Sequence, residues 1–500
     1  MKLRNKLFID GKWVDASDGK TLPVIDPSTN SEIARVSAGT PDDVAKAAEA
    51  ARRCFESGAW SGLTILQRSE ILNRVGLLIR ERTRELAELE SRDVGKPLCE
   101  TLNFDIPGGG QTFSYFAGLA VDLCGQTIPA PVNEVLNYTV REPIGVVGMI
   151  IPWNFPFLVA CRKVASALAA GNCVVIKPAT WAPLSTLALA DLLAEAGVPP
   201  GAVNVVTGTG SAVGAAMVQH PMIHDISFTG STEVGKTVMG GCVGPLKRCG
   251  LELGGKSPAV VLPDCDMDET IGGTLFGAYL AQGECCCAAT RMLVHEAVYD
   301  EFVERFVAGS KAIRVGLPLA EGTQHGALIH KEHLASVLRF VEAGKKSRAR
   351  LACGGSALTQ PPFDRGNFLP PTVFVDVAPD SVISREEIFG PVVIVTKARD
   401  EKELVQLAND SNYGLAASLW TTNLKAGHRI AAQLKAGTVW MNLHNFVFAT
   451  GPYGGYKESG IGRELGREGL LSLTQTKSIM LSLYDPPFQW YRDAAKEEAR

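Results

Sequence analysis

From about residue 143 the chain repeats one unit, a short apolar run followed by a turn and a helical stretch, and that repetition limits the fold more than any other feature. Val174-Val175-Ile176 reads as a buried strand, and the helix after it carries Leu184, Leu187, Ala188 and Leu192 on one face. Residues 203–206 and 225–228 repeat the scheme with helices between them. Strands that are apolar on both faces and alternate with helices specify a parallel sheet covered on each side. Ligands of such sheets bind beyond the carboxyl ends of the strands, which singles out Lys177, residues 208–211 and Thr229-Gly230-Ser231.

A second α/β region runs from near Gly254 to about Gly460, with a helix leading toward Cys286 and strands around residues 391–395 and 438–441. Two α/β domains facing a shared crevice are the expected architecture, since 500 residues suffice for two or three cores. Upstream, strands turn at Asp10-Gly11 and Asp18-Gly19, and a helix starts at Thr40 and Pro41, with Val44, Ala47, Ala48 and Ala51 at helical spacing. A net charge of -4 and a pI near 6.1 leave no electrostatic footprint for nucleic acid. No apolar run reaches the roughly 18 residues of a membrane span, and the opening segment lacks the core of a signal peptide, so no membrane association and a cytoplasmic location are expected. Twelve cysteines without a Cys-x-x-Cys pair fit a reducing compartment, and no metal site is expected. The tail from about Asp485 reads as peripheral.

Several residues have chemistry that their surroundings sharpen. Gly230 and Gly235 bracket a strand-to-helix turn, where free N–H groups and the helix dipole favour a phosphate, although a plain helix entry needs the same glycines. Lys177 is a cation at a ligand-facing strand end, suited to ribose hydroxyls or phosphate; a surface lysine is the plainer reading. Cys286 lies in the run Cys285-Cys286-Cys287, and a cysteine is by default a small hydrophobe. Glu252 ends an apolar strand before two glycines, where burial would lift its carboxyl into the range of a general base, unless it faces solvent. The Asn154 amide, between Trp153 and Phe155, is either a fixed donor to an oxyanion or a turn former.

Six separated segments together carry a resemblance. They are Pro152-Trp-Asn-Phe-Pro156, Val175-Ile-Lys-Pro-Ala179, Phe228-Thr-Gly-Ser231 with Gly235, Leu251-Glu-Leu-Gly-Gly-Lys-Ser-Pro258, Glu386-Glu-Ile-Phe-Gly-Pro-Val392 and Gly454-Gly-Tyr-Lys-Glu-Ser-Gly-Ile-Gly-Arg463. In order and spacing, from about residue 7 to 480, the chain resembles the aldehyde dehydrogenase superfamily, non-acylating and NAD(P)-dependent. Aligning the cysteine segment on Arg291 selects the middle thiol, Cys286, as the family nucleophile. The resemblance implies a thioester on Cys286, an oxyanion held by Asn154 and the Cys286 N–H, water activated by Glu252, and Lys163 close to the catalytic amide. It also implies a cofactor, NAD or NADP, held by Ile151, Pro152, Trp153, Lys177 and Thr180. Gly210, Gly230, Ser231, Gly235, Leu253, Glu387 and Phe389 complete that implied set. Residues 1–121 and 143–253 would form a Rossmann-like cofactor domain and 254–465 the catalytic domain. Residues 122–142 and 466–487 would form a small β oligomerisation arm for a homodimer or homotetramer, and 488–500 the tail.

Departures from the family pattern bear on specificity. Thr180 replaces the glutamate of most NAD-preferring relatives, and a hydroxyl would not repel a 2′-phosphate, so NADP tolerance is expected. The usual Asn-x-Gly-Gln reads Ala281-Gln-Gly-Glu284, with Glu284 expected to face solvent rather than the thiol. Arg162 stands where many relatives carry an aromatic residue, which suggests a semialdehyde or other carboxylated aldehyde, with an interdomain salt bridge as the alternative. Phe155, Phe157, His444 and Phe446 are further candidates for the channel wall. A cysteine esterase or a coenzyme A-acylating semialdehyde dehydrogenase are the rival activities; Glu252 argues against the second.

Overall fold

The computed structural model describes residues 3–490 and contains two large sheets, a three-stranded arm and surrounding helices. The first sheet runs, edge to edge, Lys12–Val14, Leu7–Ile9, Val203–Val205, Cys173–Lys177, Val146–Ile150, Asp225–Thr229, Arg248–Glu252 and Gly460–Ile461. Its five inner strands are parallel, and those from Cys173, Val203 and Asp225 carry the apolar runs read from the sequence. Chain order reverses between Val146–Ile150 and Asp225–Thr229, so a crevice opens at the carboxyl ends of these two strands, between Ile151 and Gly230.

The helix Pro41–Glu56 begins as its sequence predicts, with Thr40 and Asp43 in a reciprocal capping box. Two helices set the crevice walls. Pro156–Ala169 follows the first strand of the reversal and is buried almost all round, which explains its run of small and apolar residues. Thr232–Val243 follows the second; the Ser231 hydroxyl caps it and Gly235 packs it against Leu253.

The second sheet is parallel except for its edge strand Arg350–Cys353, and continues through Thr372–Val375, Val392–Ala398, Ala289–His295, Ser257–Val261, Ala416–Trp420 and Thr438–Met441. In the arm Val135–Pro143 is the middle strand, paired antiparallel with Thr474–Ser482 on one side and Thr127–Ile128 on the other. One strand crosses the boundary drawn from the sequence: Gly460–Ile461 adds an antiparallel edge to the first sheet beside Leu251 and Glu252. Among the described residues no helix is long and apolar enough to cross a membrane. Most of the tail, from residue 491, lies outside the described residues.

Candidate active site

A cavity of about 580 Å³ occupies the crevice between the two sheets, and Asn154, Glu252 and Cys286 all line it. The three reach it from different elements. Asn154 sits just before the helix Pro156–Ala169, Glu252 ends a strand of the first sheet, and Cys286 lies in a turn ahead of the strand Ala289–His295. The Cys285 carbonyl accepts the Ala288 N–H at 3.0 Å and closes that turn. Before it, Ala281 and Gln282 adopt left-handed φ of 52° and 56°, and Glu100 holds the kink by accepting the Ala281 N–H at 2.9 Å.

Cys286 is half-buried, and the Tyr453 hydroxyl is 3.6 Å from its sulfur. The Cys285 thiol favours its thiolate, but Cys287 and burial outweigh that and push Cys286 up to about 12. No described residue accepts the Cys286 N–H, which leaves it free to donate into the cavity. The Asn154 amide spends one N–H on the Glu284 carbonyl at 2.9 Å and retains the other. Glu252 is buried with one carboxyl oxygen unpartnered; burial first, then the nearby Glu464 carboxylate, holds its pKa well above the usual range.

The nucleotide side of the cavity follows the strand ends. Ile151, Pro152 and Trp153 come from one lip of the reversal, and Gly230, Ser231 and Leu253 from the other. Lys177, Thr180 and Gly210 line the same space from the neighbouring strands. The Lys177 amine meets only the Pro178 carbonyl, at 2.9 Å, and burial pulls it down to about 8. Glu387 accepts the Gly255 N–H at 2.9 Å, and burial raises its carboxyl to about 7. It crosses so close to Gly254 that a Cβ there would stand 2.0 Å from its oxygen, so a side chain at this position would displace the Glu387 carboxylate. Phe389 meets Trp153 edge to face at 5.3 Å. Gly235 stands behind Leu253 and does not line the cavity.

Several expectations need correction. Glu284 does not face solvent: it is buried, its carboxylate accepts the Ile329 N–H at 3.0 Å, and burial raises its pKa well above normal. His444 is buried away from the cavity, where burial pulls it down to about 4, so the neutral ring donates to the Cys287 carbonyl at 2.8 Å. Phe446 lies outside the cavity on the surface beside Phe276, and Phe157 is core. Lys163 reaches Ser227 at 2.7 Å and pairs with Glu464, and it lines an adjoining cavity of about 160 Å³ rather than the one holding Cys286. Phe155 and Arg162 do line the large cavity. Arg162 makes no ion pair among the described residues, and its one protein partner is the Val447 carbonyl at 3.5 Å.

Sequence reasoning missed Tyr453 and Glu464. Glu464 lines both cavities with Glu252 and joins the two. It directly follows Arg463, the last residue of a quoted segment, so extending that segment by one position would have found it.

This arrangement, a sheet reversal that opens on a cysteine and a buried carboxylate, defines an α/β enzyme with a nucleotide-type crevice. The sequence model of the aldehyde dehydrogenase family matches residues 13–479. Retinaldehyde dehydrogenase 3 of Mus musculus is 44% identical over 480 residues, covering 96% of this chain and 93% of its own. Betaine aldehyde dehydrogenase of Bacillus subtilis is 41% identical over 485 residues, with 97% and 99% covered. The structure of an aldehyde dehydrogenase from Bacillus cereus in complex with NAD+ superposes with a TM-score of 0.94 at 43% identity, over 96% of this chain and 97% of that one. The chain belongs to the aldehyde dehydrogenase family, whose members oxidise aldehydes to acids.

Proposed function

We propose that the chain oxidises a carboxylated aldehyde to the acid with NAD or NADP, through a thioester on Cys286 that Glu252 helps water to hydrolyse. The observation that carries this reading is the shared cavity: Cys286, Asn154 and Glu252 face the strand ends where a dinucleotide would lie. The residues fit such a cofactor. Lys177 is a buried cation with no carboxylate partner, Glu387 offers a carboxylate to ribose hydroxyls, and the Ser231 end of the helix Thr232–Val243 suits a phosphate. When bound, the nicotinamide supplies the hydride acceptor.

The protein's own steps follow from its geometry. Cys286 rests as a thiol, and Glu252, lining the same cavity, accepts its proton when ionised. The thiolate adds to the aldehyde carbon, and the Cys286 N–H and the remaining Asn154 N–H hold the oxyanion. After oxidation Glu252 takes a proton from water, which attacks the thioester and frees Cys286. Protons leave Glu252 by way of the Glu464 carboxylate, which opens on the adjoining cavity.

Arg162 supports the substrate assignment, because an unpaired guanidinium in the cavity recognises a carboxylate and repels a cation such as betaine aldehyde. Thr180 lines the cavity without adding charge, which supports NADP tolerance. The uncovered edge of the arm, with Met480 and Leu483 exposed, supports strand pairing between subunits in a homodimer or homotetramer.

The test is reduced-cofactor absorbance with NAD and with NADP across propanal, benzaldehyde, succinic semialdehyde and betaine aldehyde. Turnover should vanish in Cys286→Ala. Arg162→Gln should raise KM for succinic semialdehyde about tenfold or more, the worth of a charge-assisted hydrogen bond, and leave propanal unaffected. Equal turnover of charged and uncharged aldehydes would remove Arg162 from substrate binding, and a hundredfold preference for NAD would remove NADP.

A further inference from the structure

We infer that Cys285, Cys286 and Cys287 together form a site for a thiol-seeking divalent metal ion, with zinc the abundant occupant, and that occupancy withdraws the nucleophile. Along an extended strand three consecutive side chains would point to alternate faces. The turn closed by Cys285 and Ala288 instead gathers them, and the three sulfurs all lie within 4.8 Å of one another. Cys285 and Cys287 are 3.5 Å apart. Zinc–sulfur bonds of about 2.3 Å in a tetrahedral site place sulfurs about 3.8 Å apart, so binding needs only small side-chain rotations.

The surroundings permit such an ion. All three cysteines line the large cavity, which gives it an entry path and leaves the fourth position to water. The contacts the sulfurs would surrender are weak: the Tyr453 hydroxyl lies 3.6 Å from Cys286, and the Asn445 side-chain Oδ1 accepts from Cys287 at 3.4 Å. Three thiolates around a divalent ion leave one negative charge. Arg162 lines the same space, and its positive charge offsets that of the thiolates. Binding forms three metal–sulfur bonds, releases the thiol protons to solvent and moves no electrons. Soft thiolates select such ions over magnesium or calcium, so the enzyme would be reversibly silenced by free zinc and restored by a chelator.

Cadmium alone serves as the probe, with the full chain kept reduced and its sulfur-to-cadmium absorbance followed; this readout does not depend on turnover. One tightly held ion per chain is expected, with absorbance falling as sulfurs are removed in Cys285→Ser, Cys287→Ser and the double variant. Loss of a direct ligand should weaken binding by at least about 100-fold, beyond the roughly 10- to 100-fold typical of a supporting hydrogen bond. Cys285→Ala and Cys287→Ala separate this from any effect of a buried hydroxyl. Where a variant melts early, the wild type still decides: cadmium should protect all three cysteines of the turn from alkylation, read by mass spectrometry, and a chelator should lift the protection. Unchanged cadmium affinity in both folded variants, or protection of Cys286 alone, would overturn the site and leave only a single reactive thiol.

Discussion

Tyr453 places its hydroxyl 3.6 Å from the sulfur of Cys286, across 167 positions of sequence, and among the described residues it is the one aromatic hydroxyl lining the cavity. A phenol that donates to sulfur favours the thiolate, against the burial that disfavours it. Tyr453→Phe should therefore slow alkylation of Cys286 by iodoacetamide at neutral pH about fivefold, the worth of roughly 1 kcal/mol in one hydrogen bond. An unchanged rate would reduce Tyr453 to a packing residue.

Glu252 and Glu464 meet where the two cavities join. Burial first, and then the Glu464 carboxylate, raise the Glu252 pKa well above the usual range, so ionised Glu252 accumulates as pH rises. Glu464→Gln removes that repulsion and leaves the Lys163 cation unopposed. Both changes lower the Glu252 pKa, and the rising limb of the kcat profile should move to lower pH by about one unit, or about 1.4 kcal/mol. A limb that stays in place, with thioester hydrolysis rate-limiting, would show that the two carboxylates do not communicate.

How much of this could be read in advance depended on distance along the chain. Asn154, Lys177, Glu252 and Glu387 each sit at a strand or helix end inside a compact segment, where local sequence sets both conformation and chemistry. The parallel strands were legible for the same reason, since apolar runs and turns are local, whereas the reversal of strand order is set by pairing between distant segments. The part Glu464 plays becomes visible only through its pairing with Lys163, 301 positions away, and the burial of Glu284 only through Ile329. The 442–450 loop shows the limit most clearly. Asn445 and Val447 line the cavity while His444 and Phe446 do not, and an irregular loop has no period from which to deduce that alternation.

Lys177 should give cofactor binding its own pH dependence. Burial lowers the lysine to about 8, so it loses charge as pH rises through that value. KM for the cofactor should then climb above pH 8 in the wild type. Lys177→Met should flatten the climb and raise KM at pH 7 by about tenfold, since a hydrogen bond to a charged group contributes about 1.5–3 kcal/mol. A wild-type KM that stays constant from pH 7 to 9 would place the lysine outside the cofactor contacts.

Glu284 tests whether a buried acid can do the work of an amide. Its carboxylate takes the Ile329 N–H at 3.0 Å, its second oxygen finds no partner, and burial raises its folded pKa well above the ordinary value. The sign follows from linkage. Because folding favours the protonated acid, the stability it permits is fully present below the unfolded value of about 4.3 and is lost as pH climbs toward the raised folded value. Glutamine has the shape of the protonated acid and cannot ionise. Glu284→Gln should raise the melting temperature at pH 8 and change it little at pH 5, with a gain on the order of 1–3 kcal/mol from removing an unpaired buried charge. Thermal melts of both proteins at the two pH values read this directly. Equal shifts at both pH values would mean that packing, and not ionisation, separates the two side chains, while a loss at pH 8 would show that the ionised carboxylate has a partner in the folded protein.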